Sequence, residues 1–334
     1  MKKILLTGGN GYIGSHTAII LSKKNYSVDI LDNFHNSDPD YFHRIKSLCK
    51  NNINLIECDI CDKNHINKVF NNNYYDAVIH FAALKYVPES QLYPEKYFNV
   101  NVTGTKNLIE SCINNNVSNF IFSSTAAIYG ELTKSPITES SPLNPINPYG
   151  ESKLRAEGIL IDKCKEFKNL SVIVLRYFNP IGAHESGIIG EEITTKSTNL
   201  IPAIVRSINE GKKFNIYGSD YPTYDGTCIR DFIHINDLAV AHLAALEFSF
   251  KNNDFSVFNV GTGIGISVLD VLKTYEKVTQ KNIPYELMPR REGDPAELYS
   301  SCFRANNELK WIAKQNLFDM IKSDWNYRKS FFNN

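Results

Sequence analysis

The sequence predicts an α/β protein: a doubly wound parallel sheet followed by a smaller C-terminal α/β lobe. Three observations carry this expectation. Through the first half, apolar β-rich runs alternate with longer amphipathic stretches, the pattern of a parallel sheet covered by helices. Several runs are apolar almost throughout, such as Val78-Ile79-His80-Phe81 and Val172-Ile173-Val174-Leu175, which suits strands buried on both faces. After Asn179-Pro180 glycines, prolines and turn residues become denser, and helical stretches alternate with short strands.

Taken in order, Ile4-Leu5-Leu6 marks a first strand over 3–7, cut short by Thr7-Gly8-Gly9. Helical spacing follows over 12–24. Further strands are expected at 27–31, 54–58, 76–81, 119–124 and 171–177, with long helices over 94–115 and 149–167. In the second half, helices are expected over 199–209 and 267–278, with Ser267 as an N-cap rather than part of another phosphate loop. These elements suggest a first domain over 1–179 and a second over 180–334, with some later segments free to return to the first.

Composition narrows the function classes. The 334 residues carry 36 basic and 36 acidic side chains, which argues against a protein that neutralises nucleic acid or a membrane surface. No run approaches the roughly 20 apolar residues of a membrane span, and the apolar start is shorter than a signal peptide needs. A cytoplasmic protein with reduced cysteines is expected. Cys58 and Cys61 form a C-x-x-C, but no second ligand pair accompanies them, so they read as ordinary thiols and no metal site is expected.

The stretch Thr7-Gly8-Gly9-Asn10-Gly11-Tyr12-Ile13-Gly14-Ser15 joins the first strand to the first helix. Gly8, Gly11 and Gly14 allow a tight turn, a close approach of backbone to a pyrophosphate, and close packing of helix on strand. The helix N-terminus then offers free N–H groups and a partial positive charge. Asp32 follows 18 residues beyond Gly14 (32 − 14) at the end of the second strand. A carboxylate there hydrogen-bonds ribose hydroxyls and repels a 2′-phosphate, so NAD is expected rather than NADP. Asp59-Ile60, after the third strand, is the place for an adenine contact.

Tyr149-Gly150-Glu151-Ser152-Lys153 puts a phenol and an ammonium one turn apart on a helix face. A phenol with a pKa near 10 is a poor base at neutral pH. Lowering it by about three units takes roughly 4 kcal/mol, about what one cation near 4 Å supplies at an effective dielectric of about 20. Lys153, helped by a positive nicotinamide, would make Tyr149 a general base. Ser123-Ser124-Thr125 ends a strand and offers hydroxyls nearby.

Together with the glycine loop, these residues resemble the extended short-chain dehydrogenase/reductase family. Longer blocks narrow the resemblance to its UDP-sugar 4-epimerases: 7–17, Arg176-Tyr177-Phe178-Asn179-Pro180-Ile181-Gly182-Ala183-His184, Arg230-Asp231-Phe232-Ile233-His234 and Arg290-Arg291-Glu292-Gly293-Asp294. The resemblance implies inversion at C4 between UDP-glucose and UDP-galactose, in galactose metabolism. Tyr149 would take the 4-hydroxyl proton while tightly bound NAD takes hydride from C4. A transient 4-keto sugar would then accept the hydride back on its other face.

The resemblance also implies residue roles. Thr125 would bond the 4-oxygen, with Tyr149 and Lys153 completing the catalytic set. Cofactor contacts would be Gly8, Gly11, Tyr12, Ile13, Gly14, Asp32, Asn33, Asp59, Ile60, Phe81, Ala82, Ala83, Lys85, Asn101, Tyr149, Lys153, Tyr177 and Phe178. Substrate contacts would be Thr125, Ala126, Ala127, Tyr149, Asn179, Asn199, Leu200, Asn215, Tyr217, Arg230, Arg291, Asp294 and Leu298. His16, His80, His184 and His234 fall in these blocks but read as structural. A homodimer is implied, made through helices 94–115 and 149–167, with Leu108, Cys112, Leu154 and Leu160 as available apolar residues.

Leu298, five beyond Gly293, falls where this family gates the sugar 2-substituent, and Tyr299 beside it is the other candidate. N-acetylated sugars are therefore expected to be poor substrates at best. Two enzymatic alternatives are an epimerase of another UDP-sugar, such as UDP-N-acetylglucosamine/UDP-N-acetylgalactosamine, and a 4,6-dehydratase. The second is disfavoured because Thr125-Ala126-Ala127 stands where dehydratases resembling this family carry Thr-Asp-Glu. The non-enzymatic alternative is an NAD-binding sensor that kept the fold.

Overall fold

The apolar runs of the first half become the strands of one parallel sheet. A computed structural model describes residues 1–131, 135–192, 199–291 and 293–329. In chain order the elements are β1 (Lys3–Thr7), α1 (Tyr12–Lys23), β2 (Ser27–Asp32), α2 (Tyr41–Leu48), β3 (Ile53–Glu57), α3 (Lys63–Asn72) and β4 (Ala77–His80). There follow α4 (Val87–Leu92), α5 (Pro94–Phe98), α6 (Gly104–Asn114), β5 (Asn119–Thr125), α7 (Pro148–Glu166), β6 (Ser171–Tyr177) and β7 (Asn179–Ile181). The second half holds α8 (Leu200–Glu210), β8 (Phe214–Tyr217), β9 (Ile229–His234), α9 (Ile235–Ser249), β10 (Phe255–Val260) and β11 (Gly265–Ser267). It ends with α10 (Val268–Thr279), β12 (Tyr285–Met288), β13 (Glu297–Leu298), α11 (Phe303–Glu308) and α12 (Leu317–Arg328).

The large sheet has seven parallel strands in the order β10-β6-β5-β4-β1-β2-β3. From β1 the chain winds outward through β2 and β3, then returns to β4 on the other side of β1. The two crossovers diverge between β1 and β4, where α/β sheets of this kind open a crevice at their carboxyl ends. Alternation divides the core: Ile4 and Leu6 pack on one face with Ile30, Ile79 and Ile121, while Leu5 packs on the other with Val78, Phe120 and Phe122.

Two elements beyond residue 180 lie on this sheet. β10 pairs with β6, and Leu238, Ala241, Ala245 and Leu246 of α9 share the core of Ile4 and Ile121. The smaller lobe is built from α8, α10 and α12, a parallel pair β8–β12, and a group in which β9 is flanked by β11, β13 and β7. Ser267 caps α10, its hydroxyl accepting from Asp270 N at 3.0 Å.

The helix expected over 94–115 is broken. A π turn over Asn99–Thr103 separates α5 from α6. The extra residue turns Asn101 inward, where its Oδ1 accepts from Leu84 N (2.8 Å) and its Nδ2 donates to Leu84 O (3.0 Å) and Ser152 Oγ (2.9 Å); π turns often sit beside functional sites. Leu108, Cys112 and Leu160, expected to be available to a second copy, are fully buried in the protomer's own core.

Candidate active site

A single cavity of about 1590 Å³ runs from the carboxyl ends of β1 and β2 across to β8, β9 and β13. Apart from the alternative gate Tyr299, every site residue named from the sequence borders it except Asn101, which stands behind the wall holding the Leu84 segment. The cavity has three regions.

At the first, Gly8 adopts φ +68°, and a Cβ on it would meet Ala82 N at 2.5 Å; one on Gly14 would meet Gly8 O and Gly9 Cα at 2.6 Å. The loop is therefore packed to the limit that glycine allows. Gly11 is the N-cap of α1 and supplies no side-chain cap, so the first N–H groups of the helix point unbonded by a cap at the cavity, a cradle for phosphate. The Tyr12 hydroxyl donates to Gly182 O at 2.6 Å, leaving backbone as that residue's offering to a ligand. Asp32 accepts from Asn10 N (3.1 Å), Phe34 N (3.0 Å) and Ser37 Oγ (3.1 Å). Burial pushes its carboxyl up, and these bonds partly offset the push. Asn33 Nδ2 donates to Asp59 Oδ2 at 3.0 Å. The buried Asn10 Oδ1 has no partner among the described residues, and Asn10 borders the cavity. These features fit a dinucleotide with free ribose hydroxyls. Cys58 lies at this end, and burial, reinforced by Asp59, pushes the thiols of Cys58 and Cys61 up to about 12, so they stay protonated.

In the middle, Thr125 ends β5, and its Oγ1 accepts from Ala127 N at 3.1 Å. Asn147 caps α7 through Gly150 N (2.9 Å), and Pro148 begins the helix, a favoured start. The first turn presses on the Ala126-Ala127 turn, since a Cβ on Gly150 would lie 2.8 Å from Ala127 O. Tyr149 and Lys153 thus face the end of β5. Lys153 Nζ donates to Ser123 O at 2.9 Å and lies over the Phe122 ring. Burial lowers Lys153 to about 7, against the pull of Glu157. For Tyr149, burial raises the phenol, while a hydrogen bond with Thr125 and the charge of Lys85 oppose it. In this arrangement the charge that opposes burial at Tyr149 is that of Lys85, while Lys153 gives one of its three N–H donors to the Ser123 carbonyl. Burial works against the charge of Lys85 too, but Glu191 at 3.1 Å, with Tyr86 and Tyr149, outweighs it.

Behind this centre, Ser124 Oγ donates to Glu157 Oε1 (2.5 Å), and the buried Arg176 pairs with Glu157 (Nη2–Oε2, 2.6 Å). His80 joins Thr7 Oγ1 (2.6 Å) and Thr105 Oγ1 (2.9 Å), and burial holds it neutral. His234 caps α9 through Asn236 N (3.0 Å).

At the third region, Arg230 pairs with Asp294 (2.5 Å), and Arg291 lies on the Tyr217 ring at 3.9 Å. Asn179, Asn199, Leu200, Asn215 and Leu298 complete the wall. Leu298 borders the cavity, whereas Tyr299 does not and instead lies against Gly265. The cavity also takes in Glu191, Asn147 and Arg206, which sequence reading missed; they come from loops and a helix face whose place is set only by tertiary packing.

A phosphate cradle, a ribose-facing carboxylate and a tyrosine–lysine helix beside a strand-end hydroxyl define an NAD-using enzyme on a doubly wound sheet. The chain belongs to the NAD dependent epimerase/dehydratase family, whose model matches residues 4–261. It is 42% identical to the UDP-glucose 4-epimerase of Bacillus subtilis over 99% of this chain and 98% of that protein. Among solved structures, it resembles a UDP-glucose-4-epimerase from Stenotrophomonas maltophila with bound NAD and formylated UDP-arabinopyranose, with TM-score 0.97, 36% identity and coverage of 100% and 99%. It also resembles the UDP-Glc/GlcNAc 4-epimerase of Campylobacter jejuni, with TM-score 0.86, 39% identity and coverage of 99% and 100%.

Proposed function

We propose that this protein interconverts UDP-glucose and UDP-galactose by inversion at C4, as an NAD-dependent isomerase in galactose metabolism. The observation that carries this reading is the continuity of one cavity from the phosphate cradle, past Tyr149, to the arginines of the smaller lobe. When bound, NAD supplies the hydride acceptor and donor and a positive ring in the middle region. Tyr149 moves the proton of the 4-hydroxyl and returns it, and Thr125 orients the 4-oxygen. Lys153 holds the strand end against the helix and faces the nicotinamide ribose. Arg230 and Arg291 engage the diphosphate, for which a planar guanidinium fork is suited. Asn199, Leu200, Asn215 and Tyr217 hold the remainder of the UDP portion. Ala126 and Ala127 supply no acid or base, which disfavours elimination of water.

Incubation with UDP-galactose should yield UDP-glucose, and denaturing the purified protein should release NAD. No product, with NAD present, would favour the sensor reading instead.

A second reading, activity on N-acetylated UDP-sugars, is favoured by the likeness to the Campylobacter jejuni enzyme and by Leu298 at the sugar end. Leu298 is smaller than a tyrosine and larger than a cysteine, and forcing atoms into a filled site typically costs about 1–3 kcal/mol. Leu298→Cys should raise the rate on UDP-N-acetylgalactosamine selectively, and Leu298→Tyr should remove it. Unchanged selectivity in both variants would exclude Leu298 as the gate.

A homodimer working in the cytoplasm completes the proposal. Free thiols at all seven cysteines suit a reducing compartment. With Leu108, Cys112 and Leu160 buried, the half-buried apolar side chains of α6 and α7 include Ile113, Leu154, Ile159 and Ile161. A monomer mass by light scattering at micromolar concentration would contradict the dimer.

A further inference from the structure

Asp231, second in the block Arg230-Asp231-Phe232-Ile233-His234, has no place in the mechanism, yet its carboxylate is completely buried. Its neighbour Arg230 turns away to Asp294, and its hydrogen-bond donors among the described residues are all neutral. Oδ1 accepts from Thr262 N (2.8 Å) and Thr262 Oγ1 (2.7 Å). Oδ2 accepts from Gly263 N (3.1 Å), Ser300 N (3.1 Å) and Ser300 Oγ (2.5 Å). Five donors replace the water that a buried carboxylate gives up. Gly261 lets the chain come this close, since a Cβ there would collide with Asp231 Oδ2 and Ser300 Oγ.

These bonds hold two separate segments. One is the turn over 261–263 after β10. The other is the chain leaving β13, whose ladder with β9 ends at the pair Leu298–Arg230. Two residues later, Asp231 takes over by binding both the N–H and the hydroxyl of Ser300. The carbonyl of Asp231 accepts from Asn179 Nδ2 at 2.9 Å. Three cavity-wall residues are thus tied to one position: Arg230 by sequence, Asn179 through the carbonyl, and Leu298 through the carboxylate and Ser300.

We infer that Asp231 is a positioning residue for substrate selection: by clamping Ser300 it fixes how far Leu298 projects into the sugar end of the cavity, and so which 2-substituent fits beside it. The inference rests on Leu298 bounding the sugar. Thr262, on the other carboxylate oxygen, holds a turn that does not carry Leu298 and serves as an internal control.

The test compares holoenzyme variants Ser300→Ala, Asp231→Asn, Thr262→Val and Leu298→Ala. It measures bound NAD, and kcat and KM with UDP-galactose and with UDP-N-acetylgalactosamine. Losing a hydrogen bond of ordinary strength corresponds to about 2–10-fold in an equilibrium. Ser300→Ala and Asp231→Asn should therefore raise the kcat/KM ratio of N-acetylated to unmodified sugar by about 3–10-fold, chiefly through KM, with NAD content unchanged. Thr262→Val should move the ratio less than about twofold. A merely structural role would lower the melting temperature without moving the ratio. If Leu298→Ala leaves the ratio unchanged, the gate reading itself fails. If Leu298→Ala moves it and Ser300→Ala and Asp231→Asn do not, or Thr262→Val moves it as far as they do, the role of Asp231 is overturned. Should Asp231→Asn fail to fold, the contrast between Ser300→Ala and Thr262→Val decides.

Discussion

Acidification should unfold this protein well above the range where carboxylates titrate, because its core encloses neutral histidines. His16, His80 and His242 are fully buried, and burial is the chief cause that holds each below the ordinary value. His16 is lowered to about 3 and His242 to about 4. The unfolded chain binds protons at these side chains below about pH 6.5, where the folded chain does not. Falling pH therefore favours unfolding, by about 1.36 kcal/mol per pH unit for each such histidine. Their stabilisation is complete above pH 6.5 and is lost progressively until the folded values are reached.

From pH 6.5 to 5, His16 and His242 each account for about 2 kcal/mol, roughly 4 kcal/mol together, and His80 adds in the same direction. That is a large share of the whole stability of a typical domain, about 5–15 kcal/mol. His184 and His234 shift in the same direction, while the carboxyls of Asp32 and Glu192, raised by burial, act in the opposite one. Urea unfolding of the holoenzyme at pH 7, 6 and 5 measures the slope directly. His242→Gln removes one of the three buried histidines and should reduce the slope by about a third; among the described residues its ring bonds Leu238 O at 2.9 Å. A stability that stays flat between pH 7 and 5 would show that these rings are protonated in the folded protein, and the argument would fail.

Three substitutions probe the site. Tyr149→Phe should cut turnover by about 10²–10⁴-fold, the usual worth of a general acid–base group, with NAD and UDP-sugar still bound; turnover within threefold of the parent would remove Tyr149 as the base. Gly14→Ala should yield protein largely free of NAD, since its Cβ must displace the backbone at Gly8 and Gly9; full NAD content after purification would contradict the cradle. Glu157→Gln leaves the buried Arg176 guanidinium without its counter-charge and should destabilise by about 3–5 kcal/mol, read as a fall in melting temperature; an unchanged melting temperature would mean the pair adds nothing.

Much of the fold is legible in the sequence where a residue's local environment is decided locally. The glycine loop is one such place in part: the collision at Gly14 is with Gly8 and Gly9 inside the loop, whereas that at Gly8 is with Phe81 and Ala82 just beyond β4. The central strands β4 and β6 are another, since they are buried on both faces and read as nearly continuous apolar runs. The pattern fails where distant chain segments decide. Asn101 sits inside what reads as one long helix, and only the need of Leu84 for polar partners makes a π turn there intelligible. That some later segments return to the first domain is expected, but that they are α9 and β10 is not legible, because β10 (Phe255–Val260) carries Ser256 and Asn259 among its apolar residues and resembles any edge strand.

The catalytic centre separates residue identity from electrostatics. The spacing of Tyr149 and Lys153 marks them together on one helix face, and the structure keeps them so. What spacing does not say is where the ammonium goes. Packing of α7 on the end of β5 brings Lys153 Nζ to 2.9 Å from Ser123 O, and one of its three N–H donors goes to that carbonyl. Burial then acts on both partners in opposite senses, raising Tyr149 and lowering Lys153, as it must for an acid neutral when protonated and a base neutral when deprotonated. The side-chain cation that opposes burial at Tyr149 comes from Lys85, a loop residue 64 positions away (149 − 85) and itself kept charged by Glu191 from a second loop. The environment of Tyr149 is therefore the product of three chain segments: burial raises the phenol, and the Thr125 hydrogen bond and the charge of Lys85 oppose that rise.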